Sequence, residues 1–130
     1  MSRGLADTSV FIAGETGRPL RADALPDEIA VSAITIGELR AGVLAAETVE
    51  LRERRLATLI EALRLDPTPV DEAVSESWAK LRLWLRDNNR RMPVNDSWIA
   101  ATAMALGVPV VAQDGDYDGL DGSFVQVIKV

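Results

Sequence analysis

Apolar residues in this chain alternate between short solid runs and longer stretches of helical period. "RGLAD" predicts a short strand ending at Asp7, and "TSVFIAG" the start of a helix or loop capped by Thr8 or Ser9. After a polar, proline-containing stretch, "EIAVSAI" predicts a buried second strand. In "TIGE" the spacing of Thr35 and Glu38 is that of a capping box, so a helix is predicted from Thr35 through "LRAGVLAA". A second helix follows, with Val49, Leu56, Leu59, Ile60 and Leu63 on one face and Glu50, Arg54 and Glu61 on the other. "LRLDPTP" reads as a third short strand or an extended link. Thr68 and Pro69 then open a helix whose buried face is Val74, Trp78, Leu81 and Leu85. Leu83 and Trp84 lie off that stripe, either partly buried at its edge or facing a partner. A last long helix is predicted from Asn95 or Asp96 to Gly107, a good C-cap residue, followed by the strands "VPVVA" and "FVQVIKV".

Strands alternating with helices predict a parallel sheet covered on both faces. Ligands of such sheets bind outside the carboxyl ends of the strands, and Asp7 and Asp114 each come directly after a strand. With 130 residues, no repeat and no long linker, residues 1–130 are expected to form a single domain.

Composition removes whole classes of chemistry. The chain has no cysteine and no histidine, so disulfides, thiolate catalysis, Ser-His-Asp hydrolysis and His-rich zinc sites are excluded. Asp7 interrupts the N-terminal stretch before an apolar run develops, which argues against a secretory signal. The longest apolar run is broken by Gly107 and Pro109, short of the ~20 residues of a membrane span, so no membrane role is expected and a cytoplasmic location fits. The net charge of -6 at first argues against a polyanionic partner. Its distribution argues otherwise: Arg40 to Arg91 holds ten basic and nine acidic residues, the rest four basic and eleven acidic. An acidic site beside a more basic body suits nucleic acid, provided cations screen the site.

Asp7, Glu38, Asp96 and Asp114, with Asp116 close behind, lie at predicted strand ends or helix starts. Each has a structural explanation of its own. Asp7 can cap a helix, Glu38 can complete the capping box, Asp96 can favour a helix dipole, and "DGDYDG" can be a solvated turn. What changes the weighting is that all fall on one edge of the inferred sheet. Carboxylates ~4 Å apart repel by about 1 to 4 kcal/mol. All-oxygen ligands select a hard cation, magnesium or manganese, which would lower the pKa of a bound water. A calcium loop fits "DGDYDG" only at its start, because the twelfth position is Val125 where Glu is required and Asp121 fills the eighth, normally apolar.

"LADTSVFIA", "SAITIGELRAGV" and "VNDSWIAATAMALGVPVVAQDGDY", in that order, resemble the PIN-domain ribonucleases, specifically the VapC toxins of toxin–antitoxin pairs. The resemblance spans nearly the whole chain. It implies a three-layer α/β/α sandwich with a central, mostly parallel sheet, and Mg2+- or Mn2+-dependent cleavage of RNA. It further implies a homodimer and an inhibitory VapB-type antitoxin. Matched to the family's motifs, the metal-binding and catalytic acids are Asp7, Glu38, Asp96 and Asp114, with Asp116 accessory. Thr8 and Ser9 match the polar pair whose hydroxyl orients the carboxylate or a water. Two departures are visible: Ala112 where the family commonly has a hydroxyl, and Tyr117 for the usual Phe.

On this reading, hydrolysis by metal-activated water would leave a 5′-phosphate and a 3′-hydroxyl. Arg40, Arg82, Arg86, Arg90 and Arg91 are candidates for the RNA backbone, or else ordinary solvated charges. A four-carboxylate pocket beside apolar helices suits an amphipathic peptide carrying arginine. Two other classes compete. A response-regulator-like receiver would need an acid pair after the first strand and a lysine that Lys129 stands too near the terminus to supply. A catalytically weak or silent PIN module acting through partner binding would agree with Ala112, but not with an intact set of acids.

Overall fold

The computed structural model describes residues 1–120 and 122–130; Asp121 lies outside them. The elements are β1 (Arg3–Ala6), α1 (Thr8–Thr16), β2 (Glu28–Val31), α2 (Ala33–Ala45), α3 (Val49–Leu63), α4 (Glu72–Asp87), α5 (Val94–Leu106), β3 (Val110–Ala112) and β4 (Val127–Lys129). Short 3-10 turns cover Ala22–Ala24 and Asp118–Leu120. All strand pairs are parallel, in the order β2-β1-β3-β4, so the sheet is parallel throughout the described residues and not merely for the most part. From β1 the chain steps one way to β2, then returns across to β3. The resulting switch point lies between β1 and β3, where a crevice opens at the strands' carboxyl ends.

Helices cover both faces, giving the α/β/α arrangement. Leu5, Val110 and Ala112 alternate onto one face and pack with Leu81 and Leu85 of α4 and Ile99, Ala100 and Ala103 of α5. Leu39, Leu59 and Ala62 join α2 to α3, with Phe11 of α1 packed against them. Trp78 of α4 stacks on Trp98 of α5 at 4.3 Å and 3° between ring planes, and its indole N–H donates to Ser97 Oγ at 3.0 Å. That pairing anchors the first turn of α5, which carries Asp96.

Several boundaries differ from the sequence reading for identifiable reasons. Asp7, not Thr8 or Ser9, caps α1, accepting from the Ser9 N–H at 3.1 Å. Ser32 caps α2, accepting from the Ile34 N–H at 3.0 Å, so Thr35 is buried inside the helix and the predicted capping box does not form. Asp71, not Thr68 or Pro69, caps α4 through the Val74 N–H at 3.0 Å. "LRLDPTP" is a link touching the sheet by one bridge, Ser32 to Thr68. On α3 only Leu59 of the predicted stripe is buried, whereas Leu56, Ile60 and Leu63 are each at least 40% exposed and Val49 is 66% exposed. Among the described residues α3 packs chiefly against α2 and, less, against α1. On α4 Val74, Leu81 and Leu85 of the predicted stripe are buried as the period requires, and Trp78 is half-buried. Leu83 is exposed, while Trp84 is half-buried edge-on to Phe124. Among the described residues no helix is long and apolar enough to cross a membrane.

Gly4 in β1 shows how tightly this sheet is covered. A Cβ there would sit 2.7 Å from Val111 Cγ2 and 2.9 Å from Pro26 Cγ. Gly4→Ala is therefore expected to destabilise the fold by about 1–3 kcal/mol, the usual cost of overpacking. Chemical denaturation measures this directly, and a midpoint equal to that of the wild type would mean Pro26 and Val111 move aside freely.

Candidate functional site

The crevice at the carboxyl ends of β1 and β3 is acidic because four elements end or begin there. Asp7 leaves β1, its backbone N–H still bonded to Val111 O of β3 at 2.8 Å. Its side chain is only 4% exposed, a burial carboxylates tolerate only with partners. One oxygen, Oδ2, accepts from the Ser9 N–H at the start of α1; the other, Oδ1, accepts from the Tyr117 hydroxyl at 2.6 Å. Glu38 lies in the second turn of α2. Its Oε1 accepts from Thr8 Oγ1 at 2.7 Å, and Asn95 Nδ2 of α5 reaches its Oε2 at 3.5 Å. Thr8 has one hydroxyl proton and directs it to Glu38, so in the 2.9 Å contact between Thr8 and the buried Thr35 it is Thr35 that donates. The result is a chain of hydroxyls, Thr35 to Thr8 to Glu38, which ties α1 to α2.

Asp96 is the third residue of α5, and Asp114 and Asp116 lie in the loop after β3, where the Asp116 N–H donates to Asp114 Oδ1 at 3.2 Å. Asp96 reports how closely these groups converge. Burial raises its pKa first, then a hydrogen bond to Asp116, then the charges of Asp7, Asp116 and Glu38, together to about 7. Asp114 is also raised, chiefly by burial and further by Asp7 and Asp116, while the Asp116 N–H and Lys129 pull it back. Burial and the charge of Asp7 push the Tyr117 phenol far upward, so it remains a neutral donor.

Asp7, Glu38, Asp96, Asp114 and Asp116 are thus brought to one edge, and none of them takes part in an ion pair among the described residues. No three acids among the described residues already surround a common point closely enough to hold an ion. Their oxygens are instead turned to hydroxyls, to amides and, between Asp96 and Asp116, to each other. The donor chemistry fits a hard cation even so: all oxygen, one-signed, with Asp96 and Asp114 driven toward protonation first by burial and then by their acidic neighbours. Asp118 leaves the cluster to pair with Lys129 at 3.3 Å. A calcium loop does not form, since the segment follows a strand and Val125 is buried.

Of the two hydroxyls expected to orient these groups, Thr8 contacts Glu38, while Ser9 Oγ accepts from Gln113 N at 3.1 Å and only its backbone N–H reaches Asp7. Arg82, Arg86, Arg90 and Arg91 line one groove of about 390 Å³ along α4, and Arg90 and Arg91 continue into a second of about 220 Å³ that reaches Asp116. Arg40, on α2, lines neither. On the far side of the acids, Glu38 and Asn95 border a shallow cavity of about 520 Å³ with Ile34 and Ala41. Thr35 and Asn95 were not legible as site residues; both are polar residues in otherwise ordinary helix starts. Tyr117 was visible only as a mild departure from a family pattern.

Comparisons with known proteins agree with this geometry. Residues 5–122 match the model of the PIN domain. The chain is 46% identical over 128 residues to Ribonuclease VapC5 of Mycobacterium tuberculosis, covering 98% of this chain and 95% of that one. It is 49% identical over 133 residues to Ribonuclease VapC4 of the same organism, covering 98% and 97%. A crystal structure of a member of the VapBC family of toxin-antitoxin systems, VapBC-5 from M. tuberculosis, superposes with a TM-score of 0.92 at 43% identity, covering all of both chains.

The raised Asp96 carries a pH signature. Between its ordinary pKa of 3.8 and about 7 the folded protein holds a proton that the unfolded chain has released. Stability from this group is therefore full at low pH and lost as pH rises through that window. In metal-free buffer the wild type should melt at a lower temperature at pH 8 than at pH 5, and Asp96→Asn should narrow that difference. Thermal melts at both pH values decide it; an unchanged difference in the variant would assign the slope to other groups.

Proposed function

The chain belongs to the PIN-domain family and, within it, to the VapC ribonucleases, and on that premise we propose that it is a toxin that cleaves RNA phosphodiester bonds with Mg2+ or Mn2+ and is neutralised by a VapB-type antitoxin. The observation that carries the reading is the convergence of the Asp7, Glu38 and Asp116 charges on Asp96 at the switch point of the sheet. Asp7, Glu38, Asp96 and Asp114 would hold the ion, with Asp116 beside them. When bound, it would supply a water of lowered pKa and offset charge developing on phosphoryl oxygens.

The chain's own residues do the rest. Ser9 and Tyr117 hold Asp7, and Thr8 and Asn95 hold Glu38, so those two carboxylates are kept in set orientations. The groove of Arg82, Arg86, Arg90 and Arg91 offers phosphates a path of positive charge that runs up to Asp116. With no histidine in the chain, proton transfer from a 2′-hydroxyl lacks its commonest base. Water as nucleophile, with the P–O3′ bond breaking and the 3′-oxygen leaving, would give a 5′-phosphate and a 3′-hydroxyl.

Partners are supported by what the single chain leaves uncovered. Leu56, Ile60 and Leu63 on α3, with Ile12 on α1 and Leu44 on α2, are exposed large apolar groups of the kind that mark interfaces. A second copy of the chain and an antitoxin segment both suit such surfaces, and the acidic crevice suits an arginine carried by the latter. The setting for this activity is the cytoplasm, where RNA and antitoxin meet.

Incubated with total RNA, the purified protein should produce fragments bearing 5′-phosphates with Mg2+ or Mn2+ and none with a chelator. Fragments ending in 2′,3′-cyclic phosphates, or cleavage that ignores the chelator, would sink the reading. Cleavage should also weaken as salt rises. Replacing both Arg90 and Arg91 by Ala should lower the salt slope by about 1.4, roughly 0.7 for each lost single-strand phosphate contact. A slope equal to the wild-type value would remove those arginines from the RNA path.

A further inference from the structure

We propose that Tyr117 is a positioning residue for Asp7, and that its hydroxyl fastens the loop bearing Asp114 and Asp116 to the end of β1. The inference rests on the metal-dependent reading above and assigns one residue a part in it. Tyr117 is completely buried, packed in the cluster that contains Leu81, Leu85, Ile99 and Ala112. Its hydroxyl donates to Asp7 Oδ1 at 2.6 Å across 110 residues of sequence. That length lies at the short end for a hydroxyl donor, where hydroxyl–carboxylate contacts fall.

A buried phenol requires some acceptor, and a backbone carbonyl would satisfy it equally well. Here the acceptor is the most buried acid of the cluster, and the consequence is geometric. The terminal torsion of an Asp side chain is broad and easily turned. With Tyr117 on Oδ1 and the Ser9 N–H on Oδ2, each oxygen is tied once, the plane is set, and each retains capacity for a further partner. Tyr117 also directly follows Asp116, so the bond sets the height of the acid loop above β1.

Ala112 completes the argument. The register pairs Leu5 with Val110 and Ala6 with Val111, which brings Ala112 alongside Asp7 on the same face as Tyr117. Being Ala, it offers no hydroxyl, and among the described residues Tyr117 is the one side chain that donates to Asp7. A hydroxyl at position 112 would stand where it could take over that duty.

The test is Tyr117→Phe, which keeps the ring and removes the donor, with Mn2+ binding to the full-length protein followed by calorimetry in the absence of RNA. We expect Mn2+ affinity to fall by about 10- to 100-fold, the usual range for an outer partner of a ligand, with the far-UV spectrum unchanged. kcat should fall while KM for RNA stays level, because a buried ring cannot touch RNA. Adding Ala112→Ser should restore part of the affinity. Equal Mn2+ affinity in Tyr117→Phe and wild type would overturn the proposal and leave the metal reading intact; a wild type that binds no Mn2+ would overturn both. If Tyr117→Phe does not fold, the double variant decides: refolding with Mn2+ affinity regained supports the role, and refolding without it reduces the hydroxyl to a packing requirement.

Discussion

Like charge gathered at one edge of a parallel sheet is the constraint around which this molecule is arranged. Asp7 is almost wholly buried, and among the described residues none of the acids around it forms an ion pair, so neutral donors carry most of the burden of holding them. Thr8, Tyr117, Asn95 and the Ser9 N–H each reach a carboxylate oxygen, and Asp96 and Asp116 hydrogen-bond to each other. Arginines in the same positions would be cheaper electrostatically, but they would occupy the place a cation or a phosphate has to enter. The arrangement is stable enough to fold and still electrically unsatisfied, which is the condition for binding a positive ion.

Topology is what makes that concentration possible. A parallel sheet sends every strand's carboxyl end to one edge, and the reversal of direction between β2 and β3 leaves a crevice there that no crossover fills. Helices α1 and α5 begin beside it, with the partial positive charge of their first turns near Asp7 and Asp96. The Trp78–Trp98 stack and the Trp78 bond to Ser97 hold the start of α5 in place from outside the crevice. Packing remote from the acids thereby sets the position of one of them.

The surface divides along similar lines. Acids occupy the crevice, arginines the groove of α4, and apolar side chains the exposed face of α3 and its neighbours. The chain's net charge of -6 conceals this segregation, since it averages an arginine-lined groove against an acidic edge. Under the proposed function, the three surfaces would serve separate purposes: chemistry, substrate backbone and association.

Much of this was legible in the residues themselves. Solid apolar runs and a 3.6 period mark β1 to β4 and α2 to α5 in order, because burial on two faces or one leaves distinct patterns. The stretch of α1 leaves helix and loop open, and "LRLDPTP" leaves strand and link open. Asp7 and Asp114 are marked as neighbours by following strands. Glu38, Asp96 and Asp116 join them by their places at helix starts or close behind Asp114, and motif resemblance adds the metal-binding role. Capping was less legible: Ser32, Thr35 and Glu38 form two overlapping cap signals, and only the end of β2 decides which one the chain uses. Nor can periodicity tell a core face from an interface, so the stripe on α3 reads as buried although most of it is not. The hydroxyl of Tyr117 on Asp7 lies furthest from view. Sequence alone determined which groups exist and on which element each rides; tertiary structure decided which oxygen faces which donor, because contacts between residues 110 positions apart depend on sheet register and ring packing that no local pattern encodes.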